Sequence, residues 1–128
     1  MILSIQCSYI NNNIDWWYKN GDCGKDYFSV PYDNNRYLFY PDWFIRLKNG
    51  KILIVDTKGG ITAKDSNTKP KVEALHKYLK DNKLDSNYIV GIVVKNSDIW
   101  KINTNTTYIC DDSYEQFEDL NNILNKST

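Results

Sequence analysis

The chain has little that would staple it, anchor it or give it a net charge. Its three cysteines, Cys7, Cys23 and Cys110, form no CxxC pair and cannot all pair with one another. That pattern suits a reducing compartment better than a disulfide framework, and the three read as small incidental thiols. No apolar run approaches the roughly 18 residues of a membrane helix. Residues 1–10 also lack the basic start and long apolar stretch of a secretory signal. The expectation is a cytoplasmic protein with no membrane partner. A single histidine, His76, leaves no base for a serine or cysteine nucleophile and no histidine pair for a metal, so triad hydrolysis is disfavoured and His76 reads as half-buried structure. Gly59-Gly60 has neither the spacing of a P-loop nor that of a dinucleotide fingerprint, and reads as a sharp backbone turn. Sixteen basic and sixteen acidic side chains cancel, which excludes a globally basic nucleic-acid binder.

What remains is one domain's worth of foldable chain. At 128 residues, with 41% hydrophobic, 25% charged and 14% aromatic side chains, it can bury a core without staples and is too apolar for disorder. Charge is placed unevenly: residues 1–42 carry −2, 43–83 carry +6, 84–97 carry 0 and 98–128 carry −4. The middle third is therefore cationic within a neutral protein.

Residues 1–13 show no sustained period. Residues 14–19, with Trp16, Trp17 and Tyr18, predict a short packed helix or strand before a turn-rich 20–24. Residues 27–32 predict a strand that forms a hairpin with the run from Tyr37 across Asp33-Asn34-Asn35. Residues 37–47 and 51–57 predict the two central strands, joined at Lys48-Asn49-Gly50. A helix follows Thr68-Lys69-Pro70, with Thr68 as its cap, Val72, Leu75 and Leu79 as its apolar stripe, and an end near 81–83. Residues 88–94 form a strand covered on both faces, 98–102 a short partner, and 115–124 an acidic amphipathic helix. The order, without repeats or linkers, predicts a single α/β domain over residues 1–128, with a mixed central sheet of four to five strands flanked by helices.

The chemistry sits on the central hairpin. Asp42 follows Pro41 in the first leg, and Asp56-Thr57-Lys58 ends the second. Buried ions at strand ends cost several kcal/mol unless paired or coordinated. Register decides whether the carboxylates meet. A two-residue turn would set Asp42 against Thr57 and put the aspartates on opposite faces. A three-residue loop with Gly50 in the left-handed region sets Asp42 against Asp56, about 5 Å apart at Cβ, with Tyr40 and Lys58 on their face. The three-residue loop is the expectation, because only then can the pair chelate a hard cation.

Pro41-Asp42, thirteen residues, then Asp56-Thr57-Lys58 resembles the signature of the PD-(D/E)xK nuclease superfamily, whose fold is restriction-endonuclease-like. The stretches Trp16-Trp17-Tyr18-Lys19-Asn20, Phe28-Ser29-Val30-Pro31-Tyr32, Phe39-Tyr40-Pro41-Asp42 and Ile54-Val55-Asp56-Thr57-Lys58-Gly59 extend it. They look like the C-terminal nuclease domains of helicase-linked, type III-like restriction subunits. The likeness spans residues 14–78, about half the chain. It implies a restriction-endonuclease-like sheet and Mg²⁺, replaceable by Mn²⁺, held by Asp42, Asp56 and the backbone carbonyl of Thr57. It implies further that Lys58 aids the attacking water and the charge developing on the phosphate. DNA is the implied substrate, with a helicase or ATPase motor and a DNA-recognition part as partners. The family's upstream acidic residue has no clear counterpart, Asp15 being the nearest, and the short start reads as a C-terminal fragment of a larger enzyme.

Lys64, Lys69 and Lys71 lie near the implied site in sequence and are the expected phosphate contacts. Trp16, Trp17 and Trp43 can stack on bases or pack in the core, with core the stronger reading for at least two. The second functional reading is a catalytically silent module of the same fold that binds DNA or docks a partner. There Asp42, Asp56 and Lys58 form only a buried ion cluster.

Overall fold

The structure, a computed structural model, describes residues 13–21 and 28–125, the side chains of residues 60 and 61 excepted. Cys7, Cys23 and most of the 20–24 turn lie outside the described residues. In chain order the elements are β1 (Ile14–Lys19), β2 (Val30–Tyr32), β3 (Tyr37–Phe39), β4 (Trp43–Leu47), β5 (Ile52–Thr57), α1 (Gly60–Ala63), α2 (Thr68–Asp81), β6 (Tyr88–Asn96), β7 (Ile99–Asn103), β8 (Glu118–Asp119) and α3 (Leu120–Leu124).

The β4–β5 hairpin organises the rest. Lys48-Asn49-Gly50 forms the loop, with Gly50 at φ +91°, where a side chain would be strained. Leu47 N–H donates to Lys51 O and Gly50 N–H to Leu47 O, while Asn49 Oδ1 accepts from Lys51 N–H. The strands pair Trp43↔Val55, Phe44↔Ile54, Ile45↔Leu53 and Arg46↔Ile52, the register that the three-residue loop predicts.

A six-stranded mixed sheet grows from this hairpin in the order β1-β4-β5-β6-β7-β8. Among the described strands only β5 and β6 pair in parallel, so the chain between them must cross over, which it does through α1 and α2. The expected four to five strands become six because Glu118–Asp119 joins the edge, placing Asp119 opposite Lys101. That pairing also overturns the helix expected over 115–124. Tyr114 takes φ +54°, Glu118 and Asp119 are extended, and Asp119 caps a helix of five residues by accepting from Asn121 N–H.

The expected strand over 37–47 is likewise two strands. β3 pairs with β2 in a separate ribbon, and the chain changes sheets at Tyr40-Pro41, where proline supplies no N–H for a ladder. Asp33, Asn34 and Asn35 all take positive φ in the ribbon's turn, the residue types that tolerate it. Thr68 does not cap α2. Asn67 occupies that position without a side-chain bond, and buried Thr68 donates to Thr62 O instead. Gly59 is not in the left-handed region and a Cβ there meets nothing, so the turn expected of it does not depend on glycine.

Two cores result. On one face Trp43, Ile45, Leu53, Val55, Val93 and Ile102 meet α3; on the other Ile54, Ile92 and Val94 meet the α2 stripe of Val72, Leu75 and Leu79. Each fully buried aliphatic side chain of this kind contributes about 1.5–3 kcal/mol. Among the described residues no helix is long and apolar enough to cross a membrane.

Gly91 packs directly against Ile102 in the first core. A Cβ there would stand 2.3 Å from Ile102 Cδ1 and 2.5 Å from its Cγ1, so fully buried Ile102 would have to shift. Gly91→Ala is expected to cost about 1–3 kcal/mol of unfolding free energy, and Ile102→Ala in the same chain to offset part of that cost. Urea midpoints of the two single variants and the double variant check this, and simple additivity would rule the contact out.

Candidate active site

The register of β4 and β5, carried one residue past Trp43↔Val55, sets Asp42 across from Asp56. Alternation along β5 puts Asp56 on the face of Ile54, and Lys58 continues that face beyond the strand end; along β4 Asp42 shares the face of Phe44. All three therefore face the α2 side of the sheet. Asp42 is held there by Thr57, whose backbone N–H and Oγ1–H both donate to Asp42 Oδ2 at 3.0 and 3.1 Å. In an extended strand the Thr57 carbonyl leaves on the same side as its N–H, toward Asp42.

Asp56 is the buried member, 4% exposed at the centre of the sheet. Lys58 Nζ lies 2.7 Å from Asp56 Oδ2. The contact is close but poorly directed, and Oδ2 has no hydrogen bond of proper geometry. Proximity thus supplies charge without saturating the oxygen. Burial pushes the Asp56 carboxyl up from 3.8 to about 6; Lys58 opposes the shift and the neighbouring Asp42 adds to it. Two carboxylates and a carbonyl are donor types that a hard dication such as Mg²⁺ takes, and Asp42, Asp56 and Thr57 are the residues that could hold one. Among the described residues no group of three or more His, Cys, Asp and Glu assembles, so such an ion would complete its shell with water or substrate oxygens.

Asn20, which the sequence shows only as a turn residue, positions the Asp42 side of the site. Its backbone N–H donates to Asp42 O at 2.8 Å. Its side chain donates to Pro41 O and Phe28 O and accepts from Phe28 N–H. This clamp joins the end of β1 to the sheet-switching segment before β4. Lys19, Asn20, Tyr40, Pro41 and Asp42 line an open hollow of about 310 Å³ beside it. Nothing local in the sequence marks Asn20, because both its side-chain partners are at least eight residues away.

The remaining residues singled out by sequence are scattered. Asp15 is not an upstream ligand: it lies at the other end of β1, opposite the hairpin-turn end of β4, 3.7 Å from Arg46. Lys64, Lys69 and Lys71 lie on the crossover that leaves β5, with α2 beginning at the site end of the sheet. None of them joins the aspartates. Lys64 pairs with Asp112 at 2.6 Å, Lys69 with Glu73 at 3.4 Å, and Lys71 Nζ stands 5.9 Å from the centre of the Tyr32 ring. His76 is half-buried on α2 and burial pushes its imidazole down. Trp43 is core and packs at 5.1 Å, ring centre to ring centre, against half-buried Trp17, whereas Trp16 is 41% exposed. Cys110 is a free, half-buried thiol. No protein-family model, curated protein or solved structure matches the chain.

The Asp56 shift has a sign that can be measured. The folded chain holds this proton more tightly than the unfolded one, so its contribution to stability is whole below about pH 4 and is lost as pH rises toward about 6. The loss is about 3 kcal/mol at 1.36 kcal/mol per pH unit. Denaturant midpoints between pH 4 and 7 should fall for the parent relative to Asp56→Asn, which has no proton to lose. Parallel profiles would mean that Asp56 does not titrate in this window.

Proposed function

We propose that this chain is a metal-dependent deoxyribonuclease that hydrolyses phosphodiester bonds, and that it serves a restriction-modification or helicase-linked system with a motor and a DNA-recognition part. The observation that carries the reading is the facing pair Asp42 and Asp56 with Lys58 at 2.7 Å from Asp56, all on one face at a strand end. The resemblance of Pro41-Asp42 and Asp56-Thr57-Lys58 to the PD-(D/E)xK signature adds the reaction class.

Asp42, Asp56 and the Thr57 carbonyl would hold Mg²⁺ or Mn²⁺. Such an ion supplies Lewis acidity toward a phosphate oxygen and a bound water acidic enough to ionise near neutral pH. The protein's own part is positional and electrostatic. Thr57 fixes the Asp42 carboxylate through two donors, so one lone-pair direction is set before any ligand arrives. Burial raises the free energy of ionised Asp56, so a cation at its Oδ2 is favoured over water. Lys58, with its side chain only 15% exposed, keeps a fixed positive charge beside the reacting phosphate, where negative charge develops. Within the cationic stretch 43–83, Lys69, Lys71, Lys77 and Lys80 lie on α2, the helix that covers the face of the carboxylates, and favour a polyanion there.

The close Lys58–Asp56 contact also supports a second reading, a silent module in which the pair is a buried ion bridge that fixes register. The two separate on metal. For the nuclease, Mg²⁺ or Mn²⁺ at a hundredfold excess over its Kd raises the unfolding free energy by about 2.7 kcal/mol, and Asp42→Asn and Asp56→Asn abolish the shift. Plasmid and single-stranded DNA are cut only with metal, and Lys58→Ala lowers the rate by about 10²-fold or more. A parent with no cation-specific change in melting temperature and no cutting would leave the silent module standing.

A further inference from the structure

We infer that the β2–β3 ribbon is a platform for unpaired nucleobases, which directs the site toward single-stranded or locally opened DNA; the inference rests on the nuclease reading for its substrate. Tyr37, Leu38 and Tyr40 are 55%, 51% and 48% exposed; Tyr37 lies on the side of Phe39 that faces α2, and Leu38 on the opposite, open side. Large apolar side chains left uncovered on both sides of one short ribbon mark an interaction site rather than scattered apolar exposure. Its location gives the partner. The segment runs directly into Pro41-Asp42, so the platform begins beside the sheet switch that ends at the carboxylate.

The chemistry around it suits a chain that alternates flat rings with anions. Arg36, at the end of the turn, is exposed and forms no ion pair among the described residues, so its guanidinium is available to a phosphate or to a base face. The Tyr32 and Tyr37 rings stand 5.6 Å apart, with Lys71 Nζ 5.9 Å from the Tyr32 ring centre. The same rings, with Asp33, Asn67 and Pro70, border a recess of about 490 Å³ between ribbon and α2. Aromatic faces interleaved with cations are how sequence-tolerant single-strand binders hold their ligand. The duplex offers stacked bases whose faces are covered, so the platform has no purchase on it. The ribbon has a rigid backing: Val30 and Phe39 are buried and fasten it to the α2 core, while Pro31 and Leu38 pair on its open face.

The test measures binding without cleavage. Fluorescein-labelled dT20 and a 20-base-pair duplex are titrated in EDTA with the full chain and with Tyr37→Ala, Tyr40→Ala, Tyr37→Phe and Arg36→Ala, each first checked for an unchanged melting temperature. The expected result is a loss of roughly ten-fold in dT20 affinity for either tyrosine-to-alanine variant, near-parent affinity for Tyr37→Phe, and little change on duplex. Arg36→Ala should weaken dT20 binding and flatten its salt dependence. Unchanged dT20 affinity in both tyrosine variants, or no dT20 binding by the parent, overturns the platform. Metal-dependent cutting by the parent is scored separately: cutting with unaffected variants fails the platform alone, whereas variant-sensitive dT20 binding without cutting fails the nuclease alone.

Discussion

One residue of register in the β4–β5 hairpin carries the site. Gly50 accepts the left-handed conformation that a loop of Lys48-Asn49-Gly50 demands, and every pairing from Arg46↔Ile52 to Trp43↔Val55 follows from that length. A loop shorter by one would send Asp56 to the face of Trp43 and α3, into a core of Ile45, Val93 and Ile102, while Asp42 stayed on the other. The same register delivers Thr57 to Asp42, and alternation along the chain stands Lys58 beside Asp56. Packing reinforces it, because Ile54 and Val55 each belong to the correct core only in this alignment.

The sheet gives up stability at that point. Asp56 is buried deeply enough for its carboxyl to rise to about 6, and its nearest cation approaches without a directed bond. Among the described residues His76 Nε2 on α2 is also buried without a hydrogen-bond partner, whereas in the sheet and beside it Asn103 donates to Ile109 O and accepts from Asn105 N–H, and Tyr108 Oη–H donates to Ala63 O. An unsaturated acid at the open end of an otherwise satisfied sheet is the pattern expected where function and stability compete.

The sheet switch at Tyr40-Pro41 joins the β2–β3 ribbon to the carboxylate end of the main sheet. Proline ends the ladder, so the chain leaves the β2–β3 ribbon and enters the main sheet with Asp42 as its first anchored residue. Asn20 closes the same junction from β1 by bonding Pro41 O and Asp42 O. The exposed ribbon and the carboxylates are thereby linked by two residues of chain.

Local chemistry determined the central hairpin, its loop, the α2 stripe and the Asp42–Asp56–Lys58 group, because turn residues, periodicity and strand alternation act within a few residues. The break at Pro41, the extension of Glu118–Asp119 onto β7 and the clamp by Asn20 were decided by pairing between distant segments. So was the division of the three tryptophans: Trp43 and Trp17 pack together in one core, and Trp16, next to Trp17 in sequence, is exposed. Sequence presents the same three indoles without distinguishing them. The alternation of strand faces, fixed only once β1 has docked on β4, decides which of them are buried.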